Sequence, residues 1–330
     1  MASVPSFFEL EPSSGSPGQG PNILFLVFDA FSAQHIQFYG YDRKTTPNLA
    51  RLSEKAIVYH NHYAAGNFTS PATSSLLTGT LPWTHRAFRL FSAPTEEFKQ
   101  KNLFSLFDDR YRSAYSHNPF ANKVIKVLNT GIEDYHNLYE LYYQRDDLVN
   151  LLFSRDEDIA TVSWVKFIKK LEEGFSYSLF SSEIYRRKQE ELVAQFKQDF
   201  PRGIPHIQKD NYFFLNVAID WIINRLVQMG DPFLAYYHLF PPHEPYDTYK
   251  DFVDVFKDDG YQPIQKPPSI LDKPLFEGVV NRNRQWYDEL ILWVDSEFGR
   301  LYKALENSGI LDNTWIVLTS DHGATENISG

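Results

Sequence analysis

The sequence predicts an α/β fold, a mostly parallel central sheet sandwiched by helices. Three widely separated apolar runs read as buried strands: Ile23 to Phe28, Phe233 to Phe240 and Trp315 to Thr319. Each run hands over at its C-terminal end to polar residues suited to chemistry, which is where open α/β sheets bind ligands. Long stretches between them carry apolar residues at helical spacing.

Ile23 to Phe28 is uninterrupted by polar side chains and ends in Asp29, the pattern of a strand buried on both faces. Thr46-Pro47-Asn48, followed by Leu49, Leu52 and Ala56, reads as a helix start. Ser70-Pro71-Ala72 leading into Leu76-Leu77 reads as a helix N-terminus with proline in its first turn. Residues 129–231 lack a strand-ending polar motif and read as a helical insertion at one edge of the site, either a lid or an elaboration of the fold. Within it, Asp156 to Glu173 and Ser182 to Phe200 read as helices. The strand Phe233 to Phe240 runs into Pro241-Pro242-His243. Arg284 to Ser308 is long and amphipathic, with Tyr287, Leu290, Ile291, Val294, Phe298, Leu301 and Leu305 on one face. Gly309 is its stop signal. The run Trp315 to Thr319 ends in Ser320-Asp321-His322-Gly323. Residues 1–20 read as a flexible leader and 21–330 as one catalytic domain.

A net charge of −10 argues against nucleic-acid binding, which needs a basic footprint. An anionic substrate stays possible, because a bound divalent metal reverses the local field. With no cysteine, disulfides and thiolate metal sites are excluded. Aromatic residues make up 16 %, which suits a rich core and, as a lesser reading, an aromatic-lined pocket. No N-terminal apolar segment reads as a signal peptide and no apolar run reaches membrane-spanning length, so the expectation is a cytoplasmic protein without a membrane span.

Asp29 at a strand end is equally a cation ligand or a helix cap. Asp321 and His322 pair an oxygen with a nitrogen donor, which suits Zn or Mn better than Ca. Thr69 precedes a proline-led helix, where a hydroxyl faces the positive end of the helix dipole. It is a helix cap or, with metal coordination to activate it, a nucleophile. His243, on a proline-stiffened loop, is a surface histidine or a group that holds a non-bridging ester oxygen or protonates a leaving oxygen. His85 and His238 are weaker candidates, His238 as a core residue, and Asp295 reads as a structural polar contact.

Assembled, these segments resemble the sulfatase family of the alkaline-phosphatase superfamily. The opening strand and Asp29 are followed by Gly40-Tyr41-Asp42-Arg43-Lys44-Thr45-Thr46-Pro47-Asn48-Leu49. The nucleophile motif is matched by Thr69-Ser70-Pro71-Ala72-Thr73 and by Leu76-Leu77-Thr78-Gly79. Pro242 to Tyr246 and Ser320 to Gly323 match two later motifs. The resemblance implies an alkaline-phosphatase-like fold and hydrolysis of phosphate or sulfate esters through a covalent intermediate. It implies Thr69 and His243 as catalytic residues and Asp29, Thr69, Asp321 and His322 as metal ligands. Thr69 stands where the family carries cysteine or serine, and Thr73 replaces its arginine, so formylglycine should not form. Threonine at this place matches phospho-transferring and nucleotide pyrophosphatase-like members and favours a phosphoester or phosphodiester. Ala30 follows Asp29, so a calcium-type oxygen cluster is incomplete and Mn or Zn is favoured over Ca or Mg. The expected substrate is a small-molecule, glycan or lipid-headgroup ester. Alternatives are a phospho-group transferase and an inactive binding domain on the same fold. The family's small C-terminal subdomain is expected to be absent from these residues.

Overall fold

Parallel strands buried on both faces must be nearly all apolar, and the longest apolar runs here do form the middle of a parallel sheet. The computed structural model describes residues 20–143, 191, 193–207, 211–262 and 277–324. Its strands are β1 (Asn22–Phe28), β2 (Tyr111–Ser116), β3 (Asp134–Tyr135), β4 (Phe233–Leu239) and β5 (Thr314–Thr319). All pairings are parallel, in the order β3-β2-β4-β1-β5. Every residue of the central strand β4 is buried.

The helices are α1 (Pro47–Ser53), α2 (Thr69–Thr78), α3 (Pro82–His85), α4 (Leu103–Leu106), α5 (Pro119–Val127), α6 (Leu215–Gln228) and α7 (Glu277–Ser308). Strand side chains alternate between faces. Leu24, Leu26 and Phe28, with Ala235, Tyr237 and Leu239, pack against α6 and α7. Val27, Leu234 and Tyr236 pack with Leu77 of α2, Phe104 of α4 and Val124 and Ile125 of α5. The predicted face of α7 is the buried one: Tyr287, Leu290, Ile291, Val294, Phe298, Leu301 and Leu305 are all 2 % exposed or less. The helix begins at Glu277, seven positions before the predicted start. Gly309 ends it in the left-handed conformation, φ 77°.

Three expectations change. The run Trp315 to Thr319 is a strand but not a buried one. Trp315 is 65 % and Val317 37 % exposed because, among the described residues, β5 is the sheet edge and its α2-side face is uncovered. The described ends of the 129–231 segment belong to the sheet layer: β3 pairs with β2, and α6 packs against the sheet. The segment predicted as helix from 156 to 173 lies outside the described residues. In the 182–200 segment, described helix reaches only Ala194 and turns follow to Asp199.

Candidate active site

Register brings the site together. Val27, Ser116, His238 and Thr319 share one row of the sheet. Two residues further along their strands come Asp29, Asn118 and Asp321, beyond the C-terminal edge. Residue alternation puts this row on the side that packs against α2, whose first residue is Thr69.

The turn leaving β1 is built to hold Asp29. Ala30 has φ 56°, a left-handed conformation that a non-glycine residue keeps only under restraint. Tyr287 supplies the restraint from α7: its hydroxyl donates to Ala30 O (2.6 Å) and accepts from Ser32 N (2.9 Å). The end of β5 adds two more bonds, Ala30 N to Asp321 Oδ1 (3.2 Å) and Phe31 N to Ser320 Oγ (2.9 Å).

Asp29, Asp321 and His322 converge, 0 %, 1 % and 5 % exposed. His322 Nε2 lies 3.4 Å from Asp29 Oδ1, 3.6 Å from Asp321 Oδ2 and 3.4 Å from Thr69 Oγ1. His322 Nδ1 donates to Gly323 O (2.7 Å), which aims the other ring nitrogen at this cluster. Asp29 Oδ1 and Asp321 Oδ2 are buried without a hydrogen-bond partner. Two carboxylates buried side by side with unpaired oxygens fit a divalent cation, which takes up both. Burial raises the Asp29 carboxyl, but the neighbouring imidazoles of His238, His243 and His322 outweigh it and hold it below its ordinary value. Burial and the charge of Asp29 push Asp321 up. Burial lowers His322, yet the charges of Asp321 and Asp29 raise it above its ordinary value.

The structure thus brings together all four predicted metal-site residues, Asp29, Thr69, Asp321 and His322. His243 stands at the rim. Its ring stacks on Phe240 at 4.6 Å and lies 6.2 Å from the ring of His322. Its Nδ1 donates to Glu244 O (2.8 Å). A cleft of about 470 Å³ opens beside it, lined by Asn118, Phe120, Ile207, Phe240, His243 and Glu244. His85 is structural. Its Nδ1 accepts from Ala87 N (3.1 Å), so its Nε2 carries the hydrogen and donates to Ser75 Oγ (2.9 Å). Asp295 is structural too, as expected, capping α1 through Asn48 N and Leu49 N, both at 2.8 Å.

One site residue escapes sequence reasoning, and one weaker candidate stands closer to the site than expected. Asn118 Oδ1 caps α5, accepting from Phe120 N (2.7 Å) and Ala121 N (3.3 Å). Its amide nitrogen is thereby turned to Thr69 Oγ1 (3.1 Å) and to Asp29 Oδ2. The signal for it was faint, because β2 (Tyr-Arg-Ser-Ala-Tyr-Ser) is not an apolar run; Arg112 and Ser113 are buried there by pairing with Glu133 and Asp134. His238, read as a core residue, is fully buried but faces the two carboxylates, 3.6 Å from Asp29 Oδ2 and 3.8 Å from Asp321 Oδ2. Its signal was a lone histidine near the C-terminal end of an apolar strand. His117 beside it is a buried neutral imidazole, pushed by burial down to about 3.

The sulfatase family pattern matches residues 21–327. N-acetylgalactosamine-6-sulfatase of Homo sapiens is 22 % identical over 317 residues, 94 % of this chain and 51 % of that protein. The chain spans about half the length of the curated relatives it matches. Among solved structures, the phosphonate monoester hydrolase of Agrobacterium radiobacter superposes with TM-score 0.57 at 16 % identity, over 92 % of this chain and 62 % of that one. The lipoteichoic acid synthase LtaP from Listeria monocytogenes gives 0.52 at 14 % identity, over 93 % of this chain and 57 % of that one. These likenesses show an alkaline-phosphatase-like α/β fold. With a family pattern spanning nearly all of its residues, the chain belongs to the sulfatase family.

Proposed function

We propose that this chain carries the catalytic site of a divalent-metal-dependent hydrolase of phosphate or sulfate esters, with Thr69 as nucleophile and phosphoesters favoured. The observation that carries this is Thr69 Oγ1 itself. It is 97 % buried with its residue, at the first position of α2, 3.1 Å from the Asn118 amide and 3.4 Å from His322 Nε2. Asp29, Asp321 and His322 would hold the cation together with Thr69. When bound, it supplies Lewis-acid activation of the hydroxyl and charge for the ester oxygens.

Thr69 Oγ1 forms a bond to phosphorus or sulfur as the bond to the leaving oxygen breaks, and the threonine proton passes to solvent. The N-terminal end of α2 favours the anionic group held there. The leaving oxygen takes the electron pair and then a proton, which His243 Nε2 is placed to deliver from the rim. Water next attacks the phosphorus or sulfur, releasing the oxyanion and restoring the threonine hydroxyl. Phosphoesters are favoured because Thr69 cannot be converted to formylglycine and Thr73 stands in place of the motif's arginine. The cleft beside His243 is the place for the alcohol portion of the ester.

The test is an assay of wild type and Thr69→Ala, each loaded with Mn or Zn, on matched aryl phosphodiester, phosphomonoester and sulfate substrates. Metal-dependent turnover that disappears in Thr69→Ala is expected, with the phosphodiester or phosphomonoester preferred. Equal turnover by the variant overturns the nucleophile. Transfer to an added alcohol in preference to water would make the protein a transferase.

A further inference from the structure

We propose that His238 is a metal ligand, so that the cation centre takes two imidazoles and two carboxylates; this rests on the metal-dependent reading above. His238 sits near the C-terminal end of β4, 0 % exposed, and its Nε2 has no hydrogen-bond partner. An unpaired ring nitrogen buried this completely is costly unless something takes its lone pair. The atoms it faces are Asp29 Oδ2 and Asp321 Oδ2, at 3.6 and 3.8 Å, beyond hydrogen-bond reach.

Those separations suit shared coordination. Donors bound at about 2.0–2.2 Å to one ion stand roughly 3.0–3.5 Å apart around it. Asp29 offers one oxygen to each imidazole, Oδ1 to His322 (3.4 Å) and Oδ2 to His238 (3.6 Å). Asp321 Oδ2 lies 3.6 Å from His322 Nε2 and 3.8 Å from His238 Nε2. His238 stands just outside the tighter cluster of Asp29, Asp321 and His322, so a bound cation would draw its imidazole inward while Thr69 keeps its own position on the ion. The other ring nitrogen, Nδ1, lies 3.4 Å from Tyr236 Oη, a hydroxyl able to accept its hydrogen and so direct the lone pair at Nε2 to the ion. Outer partners of this kind orient ligating histidines in metal sites generally. Two imidazoles with two carboxylates favour a transition metal such as Zn or Mn over Ca or Mg, which prefer oxygen.

The experiment compares chelator-stripped wild type, His238→Gln and Thr69→Ala by calorimetric titration with Zn²⁺ and with Ca²⁺. His238→Gln is expected to weaken Zn²⁺ binding by more than the roughly 10- to 100-fold that loss of an outer partner costs, with Ca²⁺ binding nearly unchanged. Because His238 lies in the core, X-ray absorption at the zinc edge of the unmutated protein provides a measurement that does not depend on the variant folding. Two imidazole ligands are expected. Zinc bound with one imidazole, or with wild-type affinity in a folded His238→Gln, overturns the assignment of His238 while leaving the metal centre standing. No cation binding by wild type overturns both. Tight zinc binding with Thr69→Ala fully active would keep His238 and remove only the nucleophile.

Discussion

Asn118 shows how one side chain can serve both a helix and the hydroxyl proposed as nucleophile. Its oxygen is committed to the first turn of α5, so its nitrogen must point at Thr69 and Asp29. Asn118→Ser separates the two duties. Serine caps a helix about as well, within roughly 0.5 kcal/mol, but is too short to reach Thr69. The expected result is a melting temperature close to wild type with kcat lowered roughly 100-fold, the usual scale for losing one aimed donor. His243→Gln is expected to lower kcat roughly 10²- to 10⁴-fold for esters with poor leaving groups and far less for activated aryl esters, as fits a proton donor. Equal losses on both would remove that role. At this scale the sequence was informative where an acidic or hydroxyl residue stood at the boundary of a strand or helix, as at Asp29, Thr69 and Asp321. It was silent on Asn118, whose partners come from strands and helices distant in the chain.

Two elements owe their placement to polar groups carried by α7. Asp295 accepts the free backbone donors of α1, because Thr46 at the cap position offers none of its own. Gly299 permits the approach: a Cβ there would stand 2.6 Å from the Asn48 side chain. Asp295→Ala is expected to cost about 2 kcal/mol, seen as a lowered melting temperature, since it strips a buried charged acceptor from a helix end. Tyr287→Phe leaves the Ala30 carbonyl and Ser32 amide unpaired and should cost about 1–3 kcal/mol. It should also weaken cation binding, because the turn holding Asp29 relaxes; unchanged affinity would show that the turn holds without it. The apolar strands β1 and β4 and the long amphipathic helix were legible because burial on both faces, or on one stripe, leaves a periodic mark. β2 was not, since its buried Arg112 and Ser113 are satisfied by Glu133 and Asp134, partners that no local pattern reveals. The exposed face of β5 was illegible for a related reason: hydrophobicity reports preference, not which strand stands at the edge.

Across the molecule, a second polar network ties the far edge of the sheet to its helical layer. His136 lies 2.8 Å from Asp134 and 2.6 Å from Glu140, and Arg225 of α6 also binds Asp134. Burial disfavours the charged imidazole, but these two carboxylates raise His136 above its ordinary 6.5. Its stabilising contribution is therefore complete below that value and lost as pH climbs through the raised one. Thermal melts in chelator should show stability falling as pH rises above the ordinary imidazole value, and His136→Gln should flatten that slope. Among the described residues, no helix is long and apolar enough to cross a membrane. The order of strands carries a further consequence. Asp29 and Asp321 are neighbours in space although 292 positions separate β1 and β5 in register. During synthesis, β1 leaves the ribosome 292 residues before the strand that brings its partner carboxylate. The proposed cation capture would thus await the pairing of β5 with β1, and a nascent chain halted before residue 314 should bind no zinc. Metal affinity would then report that the β1 and β5 ends of the sheet have joined.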